Sequence, residues 1–82
     1  MIWITDAEYV KDYIISVQFN DGLKKYVDLR NELTEGVFIP LQDREFFTKF
    51  HISANTVEWE NGADFAPEFL RSLPDMQLSL QH

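Results

Sequence analysis

Polar and apolar positions alternate from Tyr13 onward. Tyr13, Ile15, Val17 and Phe19 are apolar, and from Ser16 the intervening positions are polar, a period of two that gives a strand one buried face. About residues 2–10 are rich in β-branched and aromatic types and also read as a strand. After Asn20-Asp21-Gly22 the alternation resumes in Leu23-Lys24-Lys25-Tyr26-Val27-Asp28-Leu29. Asp-Gly between two such runs signals a hairpin, because glycine tolerates positive φ. A two-residue Asp21-Gly22 loop would set Phe19 opposite Lys24 and Ile15 opposite Asp28. A three-residue loop sets Phe19 opposite Leu23, Ile15 opposite Val27 and Tyr13 opposite Leu29, which gathers the apolar groups on one face. We choose the second register, with Gly22 as the left-handed bulge residue. It sets Lys25 against Val17, where the lysine stem is expected along apolar surface with its head in water.

Beyond Asp28 the period changes. Leu29 and Leu33 are four apart and suit a short helical turn ending before Gly36. Val37-Phe38-Ile39-Pro40-Leu41 is an apolar connector in which Pro40 argues against a central strand. Asp43 reads as the N-cap of a helix over 44–50, with Phe46, Phe47 and Phe50 on its apolar stripe. His51-Ile52-Ser53 and Thr56-Val57-Glu58-Trp59 read as a second hairpin around Ala54-Asn55, and Asn61-Gly62 as another turn. Pro67 suits the first turn of a last helix, Asp64 stands where it could accept from that helix's free amides, and Pro74 stops it. The tail 75–82 is weakly patterned and expected to fray. The pattern predicts an α+β fold: a single domain over 1–82 with its ordered core at about 2–74, antiparallel β-hairpins packed with two or three short helices.

Length sharpens the demand on the core. A chain of 82 residues buries only about 60–65% of the surface its unfolded form exposes. Seven Phe, three Tyr and two Trp compensate, since each ring buries roughly 150–250 Å². There is no cysteine, so neither a disulfide nor a thiolate metal site is available. Fourteen carboxylates against seven Lys and Arg give a formal charge of −7. Such a surface repels phosphate backbones, which argues against direct nucleic-acid binding; it would attract a basic protein, or serve solubility alone. Met1 to Asp6 carries no basic n-region, and no apolar run approaches a membrane span, so a cytoplasmic, non-membrane protein is expected.

Candidate chemistry is thin. His51 and His82 have no companions at metal-ligand spacing, so no metal site is expected. Glu58 and Glu60 lie two apart on the expected strand and would share a face; with Asp64 and Glu68 they form a candidate acidic patch for partner contact. Three glycines make no phosphate loop, and no nucleophile motif surrounds the serines. No catalytic residue, cofactor or enzymatic activity is expected.

One ordered pattern runs through nearly the whole chain: Phe19-x-Asp21-Gly22, Val27-Asp28-Leu29, Gly36-Val37-Phe38-x-Pro40-Leu41, the Phe46-Phe47 helix, and Val57-x-Trp59-x-Asn61-Gly62-Ala63-Asp64-x-Ala66-Pro67-Glu68. It resembles the small bacterial family called domain of unknown function 2442, most specifically in the Trp-x-Asn-Gly-Ala-Asp segment. The resemblance implies a compact α+β domain without an established biochemical activity. In some relatives a similar domain precedes a helix-turn-helix, and related genes neighbour toxin–antitoxin-type partners. No DNA-reading helix pair is expected in the residues that follow Leu73. Turn and cap chemistry accounts for the distinctive residues: Asp21, Gly22, Asp28, Asn61, Gly62, Asp64 and Pro67 as turns and caps, Trp59 as a core anchor.

The reading that follows is a non-catalytic protein-interaction module, antitoxin-like, with a basic protein partner and Glu58, Glu60, Asp64 and Glu68 as its contact patch. The alternative is an accessory domain of a transcription regulator that acts with a separate DNA-binding protein. Edge strands of the two hairpins leave homo-oligomerisation open.

Overall fold

The computed structural model describes residues 1–76. Among them the chain forms β1 (Ile4–Lys11), β2 (Ile14–Phe19) and β3 (Lys24–Asp28) in one antiparallel sheet ordered β1-β2-β3. Tight 3-10 turns over Arg30–Glu32 and Gly36–Gln42 lead to α1 (Arg44–Phe47). The hairpin β4 (His51–Ser53) and β5 (Thr56–Glu58) makes a two-stranded sheet, and α2 (Pro67–Ser72) closes the fold. The fold is α+β.

The β2–β3 register is the three-residue one: Ile15 pairs with Val27 and Val17 with Lys25. The Phe19 amide donates to Leu23 O at 2.8 Å, and Gly22, at φ +92°, donates to Phe19 O at 2.9 Å. A residue at that φ carries a steric penalty unless it is glycine. β2 is the central strand, so Ile14 and Ser16 on its second face are also buried.

Lys25 departs from the expected picture. Its head is not in water: the residue is 8% exposed, and Nζ donates to the carbonyls of Leu70 at 3.4 Å, of Arg71 at 2.5 Å and of Leu73. The last carbonyls of a helix have no intrahelical donor and carry partial negative charge. An ammonium on the core face of β3 supplies both the donors and the countercharge, and so seats the C-terminus of α2 against the sheet.

The helix expected over 44–50 ends at Phe47. Asp43 does cap it, accepting from the Glu45 amide at 3.1 Å. At the other end the Thr48 hydroxyl donates to Glu45 O at 2.8 Å, the carbonyl that the next helical amide would have used. The Lys49 amide turns instead to Phe46 O at 3.0 Å, and Phe50 leaves the helical stripe to meet the Trp59 ring, centroids 5.7 Å apart. Asp64 does not cap α2. The N-cap is Ala66, with no side-chain bond and Pro67 just inside; Asp64, two residues earlier, bridges back to Glu58.

The core lies between the inner face of the three-stranded sheet, the β4–β5 hairpin and the two helices. Ile15, Val17, Val27, Leu29, Leu41, Phe47, Val57, Trp59 and Leu70 are all fully enclosed there. Sheet edges are covered more than the hairpins suggest. The Ile4 amide donates to Asn55 O at 2.8 Å, joining the two sheets. On the β3 edge, Tyr26 receives the Met76 amide at 2.8 Å and gives its own amide to Asp75 Oδ1 at 3.2 Å. Asp75 and Met76 are therefore anchored rather than frayed; the rest of the tail, 77–82, lies outside the described residues. No described helix is long and apolar enough to cross a membrane.

Candidate functional site

The Trp59–Ala63 turn is closed by the Trp59 amide on Ala63 O at 2.8 Å and the Gly62 amide on Trp59 O at 2.9 Å. Gly62 sits at φ +91°. Asn61 works in two directions: Oδ1 accepts from the Ala63 amide at 3.2 Å, and Nδ2 donates to Val37 O at 2.8 Å. The second bond ties this turn to the connector after Gly36. Trp59 is fully buried, and its Nε1 donates to Phe47 O at 2.8 Å. Phe47, Phe50 and Phe65 surround it at centroid distances of 5.6, 5.7 and 5.9 Å. Trp59, Asn61 and Gly62 thus hold three segments together, and the partners of the two polar side chains are backbone groups of this chain.

Asp28 accepts from the Arg30 amide at 2.9 Å and starts the 3-10 turn. Asp21 accepts from the Leu23 amide at 3.2 Å inside the hairpin loop, and it also takes the Arg71 guanidinium, Nη2 to Oδ2 at 2.9 Å and Nη1 to Oδ1 at 3.3 Å. That guanidinium lies over the Phe19 ring at 4.8 Å, a cation–π contact. Arg71 beside it, and secondarily the Leu23 amide, hold the Asp21 carboxyl below its ordinary value of 3.8. Patterning does not single out Arg71, because its partners are some fifty residues earlier in the chain.

The four acids of the candidate patch fall on one stretch. Glu58 ends β5 and Glu60 lies in the following turn, so the two do not share a strand. Asp64 faces Glu58 across an antiparallel bridge, and Glu68 is in the first turn of α2. Like charges directly opposite one another repel; His51 Nε2, 3.3 Å from Glu58 Oε1, relieves this when protonated. Glu60, Asp64 and Glu68 are exposed. No group of three metal-ligating side chains converges among the described residues. A groove of about 290 Å³ beside Leu73, Pro74 and Met76 carries Asp28, Asn31 and Glu32 on its polar wall.

Charge is distributed unevenly. None of the fourteen carboxylates, all among the described residues, is buried. Of the seven cations, Lys25 is sequestered under carbonyls, Arg71 is tied to Asp21, and Arg44 pairs with Asp12 at 3.2 Å. The two arginine pairs each cancel one carboxylate and leave the net charge as it is, so the surface that a partner meets lacks only the one positive charge of Lys25.

A family model described as protein of unknown function (DUF2442) matches residues 4–73. The chain belongs to this family. The matched span begins at Ile4, the first residue of β1, and ends at Leu73, just past α2, so the DUF2442 unit includes both sheets and the Lys25 cap on α2. The family description states no activity. The chain matches no curated protein and no solved structure.

Proposed function

We propose that this DUF2442 chain is a non-catalytic interaction module that binds a basic protein partner, in the manner of an antitoxin-like element. The observation that supports the reading is the charge distribution: fourteen solvent-reached carboxylates against six solvent-reached cations, the seventh, Lys25, being buried under carbonyls. Opposite charge on a partner accelerates encounter and fixes orientation. Glu58, Glu60, Asp64 and Glu68 are one contact surface for it. The distinctive residues Trp59, Asn61 and Asp21 have structural partners, which leaves recognition to the acidic exterior.

The test is affinity purification from the native host across a salt series. A basic protein retained at low ionic strength and released as salt rises supports the reading, because exposed ion pairs are screened over about 8 Å at physiological salt. Failure to retain any basic protein, at any salt, overturns it. A complex that in turn retains DNA would instead place the chain among the accessory domains of transcription regulators.

A further inference from the structure

The outer face of the three-stranded sheet has a built depression. Ile15 and Val17 point into the core, so Ser16 and Gln18 point the other way. Ser16 pairs with Glu8 on one side and Tyr26 on the other, and Gln18 pairs with Asp6 and Lys24. A serine between longer neighbours leaves a hollow of about 50 Å³, lined by Asp6, Ala7, Glu8, Ser16, Gln18 and Lys24. Ser16 forms the floor. It is 4% exposed, and its hydroxyl makes no hydrogen bond among the described residues. Among the described residues no buried side-chain oxygen or nitrogen is sealed without a partner, so the hydroxyl opens into the hollow.

We infer that this hollow seats an arginine side chain of the basic partner, an inference that rests on the reading given under Proposed function and places one of its contacts. The hollow is small and open to solvent, on the scale of one side-chain head group entering from a partner's surface. The lining selects the charge. Asp6 and Glu8 stand on the β1 side, and the Ser16 hydroxyl and Gln18 amide oxygen can both accept. Lys24 borders the β3 side, with its ammonium 5.7 Å from the Tyr26 ring centroid. An anionic group would face two carboxylates, and an apolar one would leave the Ser16 hydroxyl unpaired. A guanidinium forks across carboxylate and hydroxyl acceptors with several donors at once. Asp6 Oδ1 already accepts from the Ala7 amide at 2.9 Å, which fixes that carboxylate at the rim; Glu8 is the free wall.

The experiment is amide chemical-shift mapping on the 82-residue chain, titrated with a capped hexa-arginine peptide and, separately, with free arginine. The expected result is saturable shifts at Asp6, Glu8, Ser16, Gln18 and Lys24. Ser16→Val fills the hollow and should weaken peptide binding at least about tenfold, with core amides unmoved. Glu8→Gln should weaken it roughly threefold, and Glu35→Gln, at an exposed acid outside both the hollow and the Glu58–Glu68 surface, should leave it unchanged. Should Ser16→Val fail to fold, Glu8→Lys on the exposed rim carries the test and should abolish the shifts. Shifts confined to Glu58, Glu60, Asp64 and Glu68 overturn this inference and leave the basic-partner reading standing. Free arginine binding as tightly as the peptide overturns a partner's side chain as the occupant. No shift anywhere, together with no retained basic protein, removes both.

Discussion

Replacing Lys25 by methionine tests the most consequential interior contact of this fold. The substitution keeps an unbranched stem against Val17, its partner in the β2–β3 ladder, and removes only the ammonium. Three carbonyls at the end of α2, those of Leu70, Arg71 and Leu73, lose their shared donor. Hydrogen bonds to a charged group contribute about 1.5–3 kcal/mol each, and a cation at a helix C-terminus adds about 0.3–1 kcal/mol. Against this, methionine needs no desolvation of a charge, a relief of several kcal/mol. The carbonyls should win, because they would remain beside the sheet without a donor. We expect a net loss of about 2 kcal/mol, a large part of the roughly 4–12 kcal/mol expected for a domain of this size. In urea, with a slope near 1 kcal/mol per molar for so small a domain, the midpoint should fall by about 2 M. Hydrogen exchange should also speed at the Leu73 amide, which bonds to Leu70 O at 3.3 Å. A Lys25→Met protein as stable as the wild type, or more so, would show that desolvation of the ammonium outweighs its cap and would refute this account of how α2 is held.

Three further outcomes are expected. Trp59→Phe keeps a ring but removes the donor to Phe47 O and leaves a void; the loss should be about 2–3 kcal/mol, seen by circular dichroism as a Tm lowered by about 10 °C or more. Asp21→Asn breaks the link to Arg71. Because the folded carboxyl lies below its ordinary 3.8, its contribution is present above that value and disappears as pH falls through the folded pKa. Urea midpoints of wild type and Asp21→Asn should thus differ at pH 6 and converge in acid; a constant difference would contradict the pairing. Ala54, at φ +51° beside Asn55 at +72°, occupies a turn that favours glycine. Ala54→Gly should stabilise by about 0.5 kcal/mol after the greater chain entropy of glycine is counted, raising Tm by about 2–4 °C.

Local signals decided the elements. Period-two alternation and Gly22 were enough to fix the β2–β3 register, since a slip of one residue would turn Val17 and Phe19 to solvent. Asn61-Gly62 and Pro67 marked their turn and helix start because their backbone preferences act within a few residues. The family was legible for the same reason: its pattern consists of turns, caps and one anchoring tryptophan. Asp43 was readable as a cap, but the length of α1 was not, because Thr48 takes the Glu45 carbonyl by a side-chain bond that competes with the helix.

Tertiary structure decided the contacts between distant residues. Lys25 meets Arg71 O across 46 positions and Asp21 meets Arg71 across 50, and no periodicity encodes such pairings. Asp64 looked like a cap until the chain's return to Glu58 placed it elsewhere. Ser16 read as an ordinary outward position on a strand; only the presence of β1 and β3 on both sides turns its short side chain into the floor of a hollow. Periodicity tells a residue which way to face, but what it faces depends on strands and helices that the chain brings back later.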